Sequence, residues 1–594
     1  MNVYLFSRKK SLFCTVLLLL SIHTTVCFFG HTDIIPRSET VNAARTLAGW
    51  QEHINDYDVG RTYWSFYVAP EYKRSFNNQQ LVDFLLGGNE CFGVQGSRLP
   101  DGRSQCALLA DYFGLPQDFK SKIQFSPQIT SFIFDMNAYL GLDGLCEGLY
   151  LRFHAPVVHT KWDLNLCECV DMKGTNTYPA GYMSAQEVPR DDLSSSFQEA
   201  ITGRFCSTCK QQKKFTYGDM KNALEFGRIQ GRRNLSRLSD VHMALGYNFF
   251  NSDDHHIGLN ARISFPAGNR PDPDFFFAPI VGNGHHWEAG VGYTSHIILW
   301  SSNDELDFAG FWLDANITHM FADEQCRSYD FCDNPGSRYI LLSKIIPVED
   351  AQVEVDGMPI PSQYQGRLFP AINLTTLQSK TSFKVQVDMV AKMSLQINGL
   401  QWDLGYNLWY RSAEKLHSRC SFDDCLAFKG DAQLYGFASQ SMGDLMINDP
   451  LALNVSQHEA TLYGGQGDGN FVAGAEFANA NADNPALATD VNGNPLEQLN
   501  QNDAFNLMIA QQQISTSDGP ILLTDCDIDE CSALMPKALS HKVFGNVGYT
   551  WEHPNICFAP FLNLGTEVEW RCNCVNNNSA ISQWGVWAKA GLSY

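Results

Sequence analysis

Residues 582–594 read Ser-Gln-Trp-Gly-Val-Trp-Ala-Lys-Ala-Gly-Leu-Ser-Tyr. Trp584, Val586, Ala588, Ala590, Leu592 and Tyr594 fall on one face of an extended chain, and Gln583, Gly585, Trp587, Lys589, Gly591 and Ser593 on the other. A period of two residues therefore runs to Tyr594, which predicts a β-strand ending there. Upstream, Phe383, Val385, Val387, Met389, Ala391, Met393 and Leu395 alternate with Lys384, Gln386, Asp388, Lys392 and Ser394. Asn398 and Gly399 then form a strong hairpin dipeptide. Beyond it Leu400, Trp402, Leu404, Tyr406, Leu408 and Tyr410 alternate with Gln401, Asp403, Gly405, Asn407 and Arg411. The polar face of this hairpin carries charges that a soluble sandwich would not bury.

Twelve such stretches are expected, near 60–72, 126–140, 147–163, 237–250, 254–266, 286–300, 304–321, 379–397, 398–413, 540–552, 556–571 and 580–594. Short, turn-rich links at Gly141–Cys146, Asn251–Asp253, Ser301–Asn303, Asn398–Gly399 and Glu552–Asn555 alternate with long ones. Bacterial barrels join strands by short periplasmic turns and longer external loops, so an even count puts both ends of the strand array on the periplasmic side. In the stretch 304–321, Leu306 and Phe308 are out of phase with Phe311, Leu313, Ala315 and Ile317, and a bulge near Ala309 would reconcile them.

The last strand resembles the terminal strand of bacterial outer-membrane β-barrel proteins of the porin-like kind, which ends in an aromatic residue. That resemblance implies an assembly signal at Trp584, Leu592 and Tyr594, read by the barrel-assembly machinery. The fold class expected is thus all-β: an antiparallel transmembrane β-barrel of about 12 strands, with 10–16 left open. The rival is a secreted soluble multi-domain β-protein, which explains neither the strand at the last residue nor the segregation of turns and loops by length.

At the other end, Arg8, Lys9 and Lys10 precede an apolar run from Leu12 to Ile22 and then Thr24 and Thr25, the order of a secretory signal over 1–27. Cleavage is expected near Val26 to Phe29; a lipid-modified Cys27 is the lesser alternative. Residues 28–59 are expected to be an N-terminal periplasmic segment, and 60–594 the barrel, with large loops near 73–125, 164–236, 322–378 and 414–539. The net charge of -22 and pI near 5.1 exclude the basic footprint that nucleic acid requires. A mean hydropathy of -0.21 leaves a barrel open, because alternating strands average to near neutrality. Expected partners are outer-membrane lipid, the assembly machinery and small solutes, and a homo-oligomer is left open.

The lumen is expected to be lined by Arg61, Asp135, Arg152, His154, Asp240, His242 and His256 from the first half of the chain. Arg262, Glu288, His296, Asp314, Lys384, Asp388 and Lys392 continue that lining, and Asp403, Arg411, Lys542, Glu567, Glu569 and Lys589 complete it. Mixed charge is what a narrow, water-filled barrel needs. No Ser, His and acid arrangement of recognisable spacing stands out, so neither enzymatic activity nor a cofactor is expected; a barrel-embedded hydrolase is the least favoured reading. Two functions are weighed: a porin-like channel for passive passage of small solutes or ions, and a surface adhesin or structural envelope protein anchored by the barrel.

The sequence holds 18 cysteines, which in an exported chain read as disulfides. Candidate pairs, as staples of loops with little core, are Cys91 with Cys106, Cys326 with Cys332, Cys420 with Cys425, and Cys526 with Cys531. Cys167, Cys169, Cys206 and Cys209 read as two more disulfides rather than a four-thiolate zinc site. Cys572 and Cys574 look too close to bridge each other. Asp490, Asn492 and Asn494 match a calcium loop poorly, and no metal is expected.

Overall fold

The computed structural model describes residues 30–31, 33–56, 61–76, 78–205, 213–252, 254–302, 307–346, 354–355, 358–359, 363–423, 425–438, 449–452, 456–465, 520–551 and 558–594. The signal sequence, Cys206, Cys209, the 490–494 segment and the Glu552–Asn555 turn lie outside the described residues. Among those described, no helix is long and apolar enough to cross a membrane.

Twelve antiparallel strands close into a barrel. They are β1 (Tyr63–Ser75), β2 (Gln128–Gly141), β3 (Leu149–His154 and Val157–Asp163), β4 (Val241–Asn251), β5 (His255–Phe265) and β6 (Glu288–Ser301). The remainder are β7 (Phe308–Ser328), β8 (Thr376–Ile397), β9 (Leu400–Arg411), β10 (Ala538–Thr550), β11 (Ala559–Arg571) and β12 (Gln583–Ser593). Each pairs with its sequence neighbour, and β1 pairs with both β2 and β12, so the barrel wall closes on itself. Tyr594 completes the seam, its N–H donating to Trp64 O at 2.8 Å and its carbonyl accepting from Trp64 N at 3.1 Å. At Asn398 and Gly399 the φ values of 53° and 75° are those a two-residue hairpin of the right twist requires.

Alternation sets the two faces. Leu404 is 67% exposed, Leu564 62% and Val291 60%, all pointing outward, while Lys392, Lys542 and Lys589 are buried inside. Phe308 breaks the expected phase for a different reason than a bulge at Ala309. It points inward beside Trp312, with ring centroids 6.0 Å apart, and the register shift lies on the facing strand between Ile298 and Trp300. On β8 the phase changes between Phe383 and Gln386, both buried, with Lys384 exposed between them. Ser412 Oγ accepts from the backbone N–H groups of Lys384 and Val385 at this irregularity.

The described parts of the long connections gather at one end of the barrel and fold together there. β7 and β8 continue beyond the wall as 21- and 22-residue strands, and a strand at Glu414–Arg419 pairs with the β8 extension. Small sheets at Cys91–Gln95, Lys120–Gln124 and Cys167–Met172, and at Leu341–Ile346, Gln363–Pro370 and Leu426–Phe428, build the rest. Their apolar faces merge into one continuous core, with Phe92, Ile123, Phe197, Leu342, Leu368 and Phe428 among its members. The connections are therefore a folded cap with its own core, not loops that need staples. In keeping with this, the cysteines proposed to pair as Cys91 with Cys106, Cys326 with Cys332, Cys420 with Cys425 and Cys526 with Cys531 are unbonded, as are Cys167 and Cys169. Among the described residues one bridge is present, joining Cys572 to Cys574.

Candidate functional site: the filled lumen

Residues 33–55 run through the inside of the barrel. This corrects the expectation that 28–59 is a segment outside the strand array, and it is a consequence of charge: the segment offers Arg37, Glu39 and Arg45 to a wall of opposite partners. At the cap end, Gly30 N donates to Leu85 O at 2.8 Å, and Arg411 donates to Ile35 O at 2.9 Å. Midway, Arg37 bonds Asp388 at 2.7 Å and Glu569 at 3.2 Å. A short helix, α1 (Ala43–Leu47), starts at Asn42, whose side chain accepts from Arg45 N, the usual capping arrangement.

Arg45 is the most enclosed cation of the segment. Its Nε meets Asp135 at 3.0 Å, its Nη1 meets Glu71, and its Nη2 donates to Glu39 O at 2.7 Å. Lys73 Nζ holds Glu39 at 3.0 Å. Lys542 bridges Glu567 at 2.8 Å and Asn42 at 3.0 Å. Lys589 donates to the carbonyls of Arg45, Thr46 and Ala48, closing the C-terminal turn of α1, where exposed carbonyls favour a cation. Lys392 joins Asp403 at 3.0 Å and also Gln51.

Gly49 is held most tightly by the wall. Its N–H donates to Asp403 Oδ2 at 2.7 Å and its carbonyl accepts from Asn563 at 3.0 Å. Its φ is +62°, and a Cβ there would lie 2.1 Å from Asn563 Oδ1, so only glycine fits. Below it, Trp50 donates to Ser65 at 2.6 Å, and His53 stacks on Phe561 with centroids 4.1 Å apart and meets Ser593 at 2.9 Å.

Of the twenty residues expected to line the lumen, eighteen point inward. Two do not: Arg61 lies on the outside over the Tyr594 ring at 5.8 Å, and Lys384 is turned out by the β8 irregularity. Asp135, Asp403, Glu567, Glu569, Lys392, Lys542 and Lys589 are buried against the segment or one another. Arg152, His154, His242, Arg262, Glu288, Asp314 and Asp388 border a cavity of about 60 Å³ beside the segment. His256 and His296 meet each other, and Asp240 accepts from Ser38 at 2.6 Å. Sequence reasoning missed Glu71, Lys73, Asn563 and the whole 33–55 segment. Arg37, Glu39 and Arg45 spaced through a Ser-, Thr- and Ala-rich stretch were the only available signal.

A closed antiparallel sheet with apolar side chains outside and a polar interior meets the requirement of a bilayer, where every backbone group must be satisfied internally and no edge left open. The chain is built as a closed, twelve-strand β-barrel with the outer face of a membrane-spanning one. No family model and no curated protein matches its sequence. Among solved structures it is similar to an outer-membrane channel from Pseudomonas putida F1, at 7% identity and a TM-score of 0.28, over 91% of this chain and 97% of the other. A FadL homologue from Pseudomonas aeruginosa gives 7% and 0.25 over 96% and 99%. The transport unit of the autotransporter AIDA-I from Escherichia coli gives 7% and 0.23 over 94% and 98%. At those scores the likeness carries no argument, and the barrel stands on its own strand pairing.

Proposed function

We propose that this protein is a surface-anchored protein of the bacterial outer membrane: the barrel is a sealed anchor, and the cap is the part that meets the exterior. The observation that carries this reading is the passage of residues 33–55 along the lumen, bonded to the wall from Ile35 to His53. Beside it lies a cavity of about 60 Å³, room for a few waters. A porin-like channel for passive solute passage lacks that support.

A gated channel is the second reading, favoured by the chemistry of the contacts. The segment is held mainly by hydrogen bonds and ion pairs, and water can replace both if it withdraws. Planar-bilayer conductance separates the two. The intact chain is expected to be silent, and a chain lacking residues 33–54 to show discrete open steps through the twelve-strand bore. Steady open-channel current from the intact chain would overturn the sealed-anchor reading; rare, brief openings abolished by a cysteine pair at Ser38 and Ser239, whose hydroxyls lie 3.4 Å apart, would favour gating.

A further inference from the structure

Two features of the outer wall meet where β12 joins β1. The first is a groove of about 860 Å³ lined by Pro70 and Tyr72 of β1, Phe132 of β2, Leu564 of β11, and Val586 and Ala588 of β12. The hollow comes from side-chain size: Ala588 and Pro70 are short beside Leu564 and Phe134, their partners in register. Tyr72, Phe132, Leu564 and Val586 are all exposed, so the groove opens to the medium around the barrel, which for an apolar wall is the bilayer interior. Glu71 and Asp403 also border it, but their carboxylates turn into the lumen, where Arg45 and Lys392 hold them.

The second feature is a pair of cations directly above the groove on the cap side. Strand pairing aligns Val586, Tyr72, Phe132 and His159 across β12, β1, β2 and β3. The next outward-facing row toward the cap, two residues along each strand, reads Trp584, Arg74, Thr130 and Lys161. Arg74 and Lys161 therefore stand about 10 Å apart, two strand spacings, on either side of Thr130. Arg74 donates to the neutral Gln128 at 3.2 Å, and neither cation forms an ion pair among the described residues. Neither row contains an acidic residue, and Asp163, one row further on, is taken by Arg232 at 3.1 Å. Tyr72 and Trp584, with ring centroids 5.7 Å apart, mark the level at which aromatic side chains meet lipid headgroups.

We propose that this sector binds a phosphorylated lipid of the leaflet on the cap side, its phosphate between Arg74 and Lys161 and an acyl chain in the groove below. Arginine takes a phosphate through parallel N–H donors and lysine as a point charge, and Thr130 offers a hydroxyl between them. Groove and cations call for one molecule with an anionic head and a hydrocarbon tail. A free phosphate shares the head chemistry and leaves the groove empty. The inference rests on the wall standing in a bilayer, and it holds whether the lumen is sealed or gated.

The test uses the full chain purified in a neutral detergent, with retained lipid measured by native mass spectrometry. The probes are dipalmitoyl phosphatidic acid, its dihexanoyl form, dipalmitoyl phosphatidylcholine, whose choline offsets the phosphate charge, and inorganic phosphate. Dipalmitoyl phosphatidic acid should be retained at the lowest concentration, and each of the others should need about tenfold more, the scale of two interfacial cations. Arg74→Gln with Lys161→Gln should bring it down to the level of phosphatidylcholine. Ala588→Phe fills the groove and keeps both cations, so it should bring the dipalmitoyl form down to the dihexanoyl one. All three positions lie on the outer face; if Ala588→Phe does not fold, the charge variant and the ranking of probes carry the test. Equal retention of the two dipalmitoyl lipids, or an unchanged preference in the charge variant, would overturn the headgroup site. Equal retention of long and short chains would overturn the groove, and inorganic phosphate competing as well as the lipid would leave a free-anion site in its place. A chain that does not float with neutral phosphatidylcholine vesicles would instead overturn the bilayer reading on which the inference rests.

Discussion

In the barrel, Leu404, Leu564 and Val291 face outward while Lys392, Arg45 and Glu567 are packed at the centre; in the cap, Leu342, Phe197 and Ile123 are at the centre and charge is mostly outside. The same chain thus builds two inverted interiors. Lipid takes the place of a core for the barrel wall, so apolar burial within the protein is not what holds β9 or β11 in place. The cap stands in water and needs an apolar centre of the ordinary kind. The polar core of the barrel has a different requirement: each buried charge must meet its partner, because an unpaired one costs more than a lost apolar contact.

That contrast gives an ordering of effects. Arg45→Leu should be the most damaging single change, since it leaves Asp135 and Glu71 enclosed without their cation; about 3–5 kcal/mol is expected for breaking such a group. Urea unfolding in detergent measures it, and a loss below that of a lipid-facing change would show that the luminal network is solvated. Leu342→Ala in the cap core should cost about 2–5 kcal/mol and show as protease cleavage within the cap while the barrel stays resistant to heat in detergent. Leucine to arginine at Leu404 should give the reverse, about 2–4 kcal/mol near the bilayer midplane, with the cap unaffected. Arginine at Gln386 or Asn407, acceptable in a water-filled pore, should here be damaging as well, because both sites are buried and bonded to Glu288 and Asp388.

Two smaller effects sharpen the cap side. Reducing agent should leave the cap's resistance to external protease unchanged, because an apolar core and not disulfide staples holds it; a large rise in cleavage would restore the staple reading. Acidity should act through His31 and Lys429. Burial holds the His31 imidazole down to about 4 and the Lys429 ammonium, over the Tyr182 ring at 4.0 Å, down to about 7. Each binds fewer protons folded than unfolded, so stability rises with pH. The windows run from about 4 to 6.5 for His31 and from about 7 to 10.5 for Lys429. Lys429→Met should flatten the upper rise of cap stability and leave the lower one; an unchanged upper slope would exclude Lys429 as its source.

The strand array was legible because a period of two is local. Gln583 to Tyr594, the Asn398–Gly399 hairpin and the long–short alternation of links pointed to about twelve strands, to most of their inward faces and to a strand running to Tyr594 without reference to anything distant. Phe308 and Lys384 show where this stops: inward or outward direction depends on a register shift in the neighbouring strand, and a single strand does not contain that information. The filling of the lumen lay beyond the sequence for the same reason at longer range. Arg37 finds its partners at Asp388 and Glu569, and Gly49 its partners at Asp403 and Asn563, hundreds of residues away. The segment around them is too short and too polar to announce a structure of its own. Local chemistry decided that the chain would make a barrel; closure of that barrel around residues 33–55, which brings distant charges within bonding distance and excludes water from them, decided that the barrel is full.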